Sequence, residues 1–168
     1  MREMTTRALD DAFAGESMAH MKYLAFSAIA EKEGFKNVAR LFRAISYAEQ
    51  VHATNHAKNL GYLASTVENL KSAEDGENFE IEEMYPVYNN TAQFQGEKGA
   101  EKSTHYALEA EKIHSRMYND ARKKVSAGSD IEVGVIRICP VCGHTVEGDA
   151  PEACPICKAK GSTFVAFE

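Results

Sequence analysis

The stretch S46-Y-A-E-Q-V-H-A-T-N-H56 decides how the chain is read. It has the period of an amphipathic helix, and an apolar stripe through Val38, Leu41, Phe42 and Ile45 runs in steps of three and four onto Glu49, His52 and His56, then returns to Leu60 and Leu63. A carboxylate and two imidazoles therefore occupy an inward face. An unpaired buried carboxylate costs several kcal/mol, so such a face requires a cation or a proton.

Working outward, residues 5 to about 125 keep the helical period, with breaks at Gly34, between Gly61 and Ser65, and at Gly96 and Gly99. Four long segments result. The first carries Leu9, Ala12, Phe13, Glu16, Ala19, Tyr23 and Ala30 on one stripe, and the fourth carries Ala107, Leu108, Glu111, His114, Tyr118, Ala121 and Val125. The third is less regular. Ser65 with Glu68 has the form of a capping box, Gly76 is a potential interruption, and Pro86 is expected to end or kink the helix. Its stripe runs through Glu77, Glu80, Met84, Val87, Thr91 and Phe94.

An internal repeat supports this division. EGFKNVARLFRAISYAEQVH (33–52) aligns with QGEKGAEKSTHYALEAEKIH (95–114) through a Gly, a Lys two places on, and a final Ala-Glu-x-x-His. Each half thus reads as one helix offering a Glu, Glu16 or Glu77, and a second offering Glu-x-x-His, Glu49/His52 or Glu111/His114. Residues three apart share a helical face, so each pair can grip one ion from one side. Four carboxylates and two histidines on inward stripes form the set that ferritin-like bundles use for two metal ions, and imidazole with carboxylate suits iron or manganese. Glu80, one turn beyond Glu77, is a seventh candidate. His56 reads as a hydrogen-bonding neighbour of the ligands, and His20 and His105 as ordinary residues. Tyr23 either packs the core or hydrogen-bonds a ligand carboxylate.

After residue 125 the pattern changes. SAGSDIEVG is a polar, small-residue linker, and VIRIC and STFVAF read as short strands on either side of CPVCGHTVEGDAPEACPIC. Cys139, Cys142, Cys154 and Cys157 form two Cys-x-x-Cys turns, the donor set of a tetrahedral zinc or iron site. A module of this size buries too little to fold unaided, so the ion also holds it together. The expected division is a bundle over 1–130 and a cysteine module over 134–168.

Composition narrows the function further. A formal net charge of -6 with no basic stripe argues against nucleic acid or an anionic membrane as the main partner. No apolar run approaches the length of a membrane span, and the start MREMTTRALDDAF is charged from its second residue. Paired cysteines confined to one module fit metal binding in a reducing compartment, so a cytoplasmic protein is expected.

A bundle bearing Glu, Glu-x-x-His, Glu-x-x-Glu and Glu-x-x-His, followed by CPVCG…CPIC, resembles rubrerythrin over essentially the whole chain. AGESMAHMKY, GENFEIEEMYP and EAEKIH are similar to that family's ligand-bearing segments. The resemblance implies a mainly α fold, a ferritin-like four-helix bundle followed by a small rubredoxin-like β/loop domain. It implies di-iron ligands Glu16, Glu49, His52, Glu77, Glu80, Glu111 and His114, with Glu49 bridging and with His52 and Glu80 exchanging on one iron as its oxidation state changes. Tyr23 and Tyr85 match tyrosines that hydrogen-bond the site carboxylates, and the four cysteines match a rubredoxin-type iron centre. The activity implied is reduction of hydrogen peroxide to water at the di-iron centre, with electrons returned through the four-cysteine iron from a rubredoxin or flavoprotein reductase. A homodimer is implied in which one subunit's cysteine centre serves the other's di-iron site. The alternatives are a ferritin-like iron-oxidising or iron-storage protein, for which an electron-transfer module has no use, and a zinc-ribbon binding module on a structural bundle.

Overall fold

The structure, a computed structural model, describes all 168 residues. Its elements are α1 (Glu3–Lys32), α2 (Lys36–Leu60), α3 (Thr66–Phe79), a π-helical turn (Glu80–Met84), α4 (Tyr85–Gln95), α5 (Lys98–Ser126), and strands β1 (Ile136–Ile138), β2 (Thr145–Glu147) and β3 (Val165–Phe167). The chain divides into two compact units, Met1–Ala64 and Ser65–Glu168.

The first unit is the hairpin of α1 and α2. Its seam is made of small residues: Ser27, Ala30, Ala39, Ser46, Ala53 and Ala57 are buried. Small side chains let the two backbones approach closely, and the seam's hydroxyls are all spent on backbone. Ser27 Oγ donates to the Ala39 carbonyl at 3.0 Å, and Ser46 Oγ donates to the His20 carbonyl at 2.9 Å. The larger apolar residues of the α2 stripe, Val38, Leu41 and Ile45, remain exposed in this hairpin, which differs from the expectation that they would form its core. The α1–α2 contact sits instead on the alanine and serine positions between them. At the far end Phe13 meets Tyr62 edge-on at 5.7 Å, and the Tyr62 hydroxyl donates to Asp10. Gly61 ends α2 with φ of +79°, a left-handed value that favours glycine.

In the second unit, α3, the π turn and α4 together run against α5. Ser65 and Glu68 do form a reciprocal capping box at the start of α3, and Gly76 lies inside the helix without breaking it. Pro86 does not end the helix either. The Tyr85 N–H reaches back five residues to the Glu80 carbonyl, so the chain makes one wide π turn and enters α4 with the proline in its first turn, where its missing N–H is no loss. A buried carboxylate, Glu74, is clamped by Arg122 Nε at 2.6 Å and by the Asn119 amide, binding α3 to α5.

The C-terminal part of this unit is a three-stranded antiparallel sheet in the order β2-β1-β3. The two flanking strands lie where the sequence places them, while β2, directly after the first Cys-x-x-Cys turn, is not among the strands read from sequence. The core is sulfur: Cys139, Cys142 and Cys154 are buried, with Tyr106, Ile156, Ala159 and Phe164 packed around them. Gly161 is required by close approach, since a Cβ there would collide with the Pro151 carbonyl.

Candidate metal centres

Each unit brings together one carboxylate-histidine triad. In the first, the hairpin turns Glu16 of α1 toward Glu49 and His52 of α2, with ligand atoms all within 4.8 Å of one another. His52 Nδ1 lies 3.0 Å from Glu49 Oε2 and 3.7 Å from Glu16 Oε1. His56, one turn on, is outside this group. His20 is held by the seam, its Nδ1 lying 2.9 Å from the Ser46 carbonyl. Tyr23 packs its ring against Phe26 and Phe42, both at 6.2 Å, which is the packing alternative of its two expected roles.

The second unit repeats the arrangement with Glu77 of α3 and Glu111 and His114 of α5, again within 4.8 Å. His114 Nδ1 lies 2.6 Å from Glu111 Oε2 and 3.9 Å from Glu77 Oε1. Burial, then the hydrogen bond and charge of Glu111, then the charge of Glu80 push the Glu77 carboxyl up to about 8. Glu80 opens the π turn outside the tight triad, yet burial and the Glu111 charge raise its pKa while His114 opposes the rise. The Tyr85 phenol is raised by burial and by the charges of Glu80, Glu111 and Glu77. It therefore lies within electrostatic reach of the carboxylates and remains a proton donor at neutral pH.

These donor sets fit a cation. In the second set, burial first and then the neighbouring Glu111 and Glu80 carboxylates favour a proton on Glu77, a demand that a cation would meet instead. Carboxylate oxygen with imidazole nitrogen is the donor chemistry of iron or manganese.

The third group is the four cysteines, also within 4.8 Å and all free thiols. Cys139 and Cys157 sulfurs are 3.5 Å apart, as are those of Cys142 and Cys154. Sulfurs about 2.3 Å from a tetrahedral ion stand about 3.8 Å apart, so a small expansion accommodates it. Burial pushes the Cys142 thiol up. For Cys154 burial acts the same way, but the N–H groups of Cys157 and Ile156 directed at its sulfur outweigh it and bring it down to about 7. Backbone donors aimed at sulfur stabilise thiolate, the form a metal requires.

The cysteine module is seated on its own chain's α5. Tyr106 packs on the sulfur core, Gly143 approaches Ala110, and His114 Nε2 lies 2.8 Å from Thr145 Oγ1. The module thus touches a histidine of the second triad within a single chain, a contact the sequence reading does not anticipate. Three residues at intervals of four on one helical face make the contact, a period that the sequence displays but that apolarity alone does not single out.

The sequence matches the family described as Rubrerythrin over residues 7–122, and the rubrerythrin rubredoxin-like domain over residues 138–165. It is 45% identical to Rubrerythrin-2 of Clostridium acetobutylicum, across 98% of this chain and 97% of that protein. It is 35% identical to nigerythrin of Nitratidesulfovibrio vulgaris, across 97% and 86% respectively. A solved structure of fully reduced, all-ferrous nigerythrin covers 97% of this chain and 86% of that one, with a TM-score of 0.56 at 32% identity.

Proposed function

The chain belongs to the rubrerythrin family, and from that premise we propose that it is a peroxidase reducing hydrogen peroxide to water, as part of oxidative-stress defence. The observation that carries this reading is the presence of two matched Glu/Glu/His triads and one four-sulfur group in a single chain. Family membership and donor chemistry together give the cofactors as two irons in a di-iron centre held by carboxylates and histidines and one iron in the four-cysteine site.

Glu16, Glu49, His52, Glu77, Glu80, Glu111 and His114 would hold the pair of irons, and Cys139, Cys142, Cys154 and Cys157 the single one. When bound, a pair of ferrous irons would supply the two electrons that, with two protons, take one peroxide to two waters, and an iron in the four-cysteine site would supply replacement electrons one at a time.

The protein's own groups supply the rest. Glu49 shares its triad with Glu16 and His52, with His52 Nδ1 3.0 Å from Glu49 Oε2, and is the bridging candidate. Glu80 lies outside its triad but close enough to feel it, which is the placement a carboxylate needs if it is to enter or leave coordination. Tyr85 keeps its phenolic proton against three nearby carboxylates and is the candidate to donate a hydrogen bond or a proton there. Tyr23 is the weaker partner, since its ring is committed to Phe26 and Phe42.

Solved structures of nigerythrin in mixed-valence, fully reduced and partially reduced states support a redox role for the same architecture here. No helix is long and apolar enough to cross a membrane. The remaining assignments follow the family: a homodimer in the cytoplasm, divided into a bundle over 1–130 and a cysteine-ligated iron module over 134–168, receiving electrons from a rubredoxin or a flavoprotein reductase.

The test is anaerobic purification followed by metal analysis and peroxide turnover with a reduced donor. Three irons per chain and donor-dependent peroxide loss are expected. Iron accumulating far beyond three per chain, with no peroxide turnover, would establish the storage reading instead.

A further inference from the structure

Thr145 is buried in β2, directly after the Cys139–Cys142 turn, and plays no part in the ligand sets above. Its hydroxyl has two partners. Oγ1 lies 3.1 Å from the Gly143 carbonyl, to which it donates, and 2.8 Å from His114 Nε2. A hydroxyl owns one hydrogen, and a carbonyl can only accept. Once that hydrogen is directed at Gly143, the bond to His114 must run the other way, with Nε2–H donating to the threonine oxygen.

With a cation on Nδ1 the neutral ring carries its one proton on Nε2, where Thr145 Oγ1 accepts it. Nδ1 is the atom aimed at Glu111 and Glu77, and with no cation there its 2.6 Å contact with Glu111 is held by a proton instead. We propose that Thr145 is a positioning residue: it fixes His114 in the Nε2–H tautomer, presents Nδ1 to the bundle metal, and ties that ligand directly to the cysteine module of the same chain. The tie continues past Gly143, whose N–H donates to the Cys139 carbonyl at 3.0 Å. A metal-binding histidine gains basicity and a fixed orientation when its second nitrogen donates to an oxygen, and loss of such a partner typically costs about 10–100-fold in affinity. A threonine on a separate module provides that oxygen here, so seating the module and orienting the ligand become one event.

The inference rests on His114 being a bundle ligand, and the controls separate the two claims. Zinc-loaded protein, which is diamagnetic, is suited to nitrogen-15 NMR of the histidine rings. Wild type should show His114 with a proton on Nε2 and metal on Nδ1. Thr145→Val matches the side chain in shape and removes the hydroxyl. It should lose that Nε2–H signature and weaken zinc binding in the bundle by roughly 10–100-fold, and Thr145→Ser should restore both. The visible spectrum of the iron-loaded four-cysteine site is recorded on each variant to show that the module remains folded. His114→Ala is the control for the ligand set. If His114→Ala loses bundle metal but Thr145→Val keeps wild-type affinity and tautomer, the role of Thr145 is refuted. If His114→Ala binds metal as wild type does, the ligand assignment itself falls. Wild-type protein with metal on Nε2 of His114 overturns the proposal without any variant.

Discussion

Arg122 Nε stands 2.6 Å from Glu74 Oε2, and the pair joins α5 to α3 through a carboxylate that the fold has buried. The Arg122 and Asn119 hydrogen bonds hold the Glu74 carboxyl below the usual carboxylate range, against the opposing effect of burial. A depressed folded-state pKa gives stability that is present above the unfolded value and lost as pH falls through the folded one. Arg122→Met should therefore lower Tm clearly at pH 7 and progressively less as pH falls below the ordinary carboxylate value of 4.5 and on through the lower folded value, where Glu74 takes up its proton in wild type as well. Adding Glu74→Leu should recover much of the loss, because an unpaired buried carboxylate costs more than an apolar pair. Thermal denaturation of wild type and the two variants, single and double, at several pH values measures this.

Glu77 responds to pH in the opposite sense. Its folded value, about 8, lies above the ordinary 4.5, so in metal-free protein the folded state binds the extra proton between those values. Stability should then fall as pH rises from 5 to 8. Because the carboxylate is partly solvated, the full shift is discounted, leaving about 1–2 kcal/mol. Glu77→Gln should flatten this slope in metal-free protein. Denaturant unfolding of metal-free wild type and variant, at pH 5 and pH 8, tests the sign.

Cys154→Ser should abolish the thiolate-to-iron charge-transfer colour, because Cys154 is fully buried in the sulfur core and carries the sulfur most disposed to ionise. The helical circular dichroism should stay close to wild type, since Glu74, Asn119 and Arg122 fasten α3 to α5 independently of the module. Loss of the helical signal along with the colour would show that the helices depend on the module.

Much of this is legible in the sequence, for identifiable reasons. The helices announce themselves by period and by Gly34, Gly61 and Gly96 at their ends, and the cysteines by spacing. The triads stand out because charged residues on an apolar stripe break the rule that makes the stripe. The π turn does not, because Pro86 in a helical pattern signals interruption, and only the Tyr85 bond to Glu80 shows how an added residue absorbs it. The seam of the first hairpin is hidden because the stripe puts weight on Val38, Leu41 and Ile45, whereas the close approach uses Ala39, Ser46 and Ala53. Thr145 and the Glu74 clamp escape because a threonine in a short strand and a glutamate in a polar helix carry no local signal. Their partners lie 31 and 48 residues away.

Glu49 and His56 provide the sharpest test of the proposed ligand set. Glu49 shares a triad with Glu16 and His52, and His56 does not. Glu49→Ala should lose bundle iron and peroxide-driven oxidation together, while His56→Ala keeps two irons in the bundle and most of that reaction. Iron analysis and rapid mixing of each reduced variant with peroxide check this, and a reversal of the two phenotypes would show the wrong set of ligands.

The central claim is that one chain holds a two-electron site recharged by a one-electron centre. Anaerobic titration of fully reduced, three-iron protein with hydrogen peroxide, followed by the return of the charge-transfer colour of the four-cysteine iron, tests this directly. Each peroxide takes two electrons to become water, so three ferrous ions should require one and a half equivalents per chain. The bundle should oxidise without lag and the cysteine centre should follow, with no hydroxyl radical trapped. A cysteine centre that stays reduced while the bundle turns over, or a radical yield in proportion to peroxide added, would contradict the account.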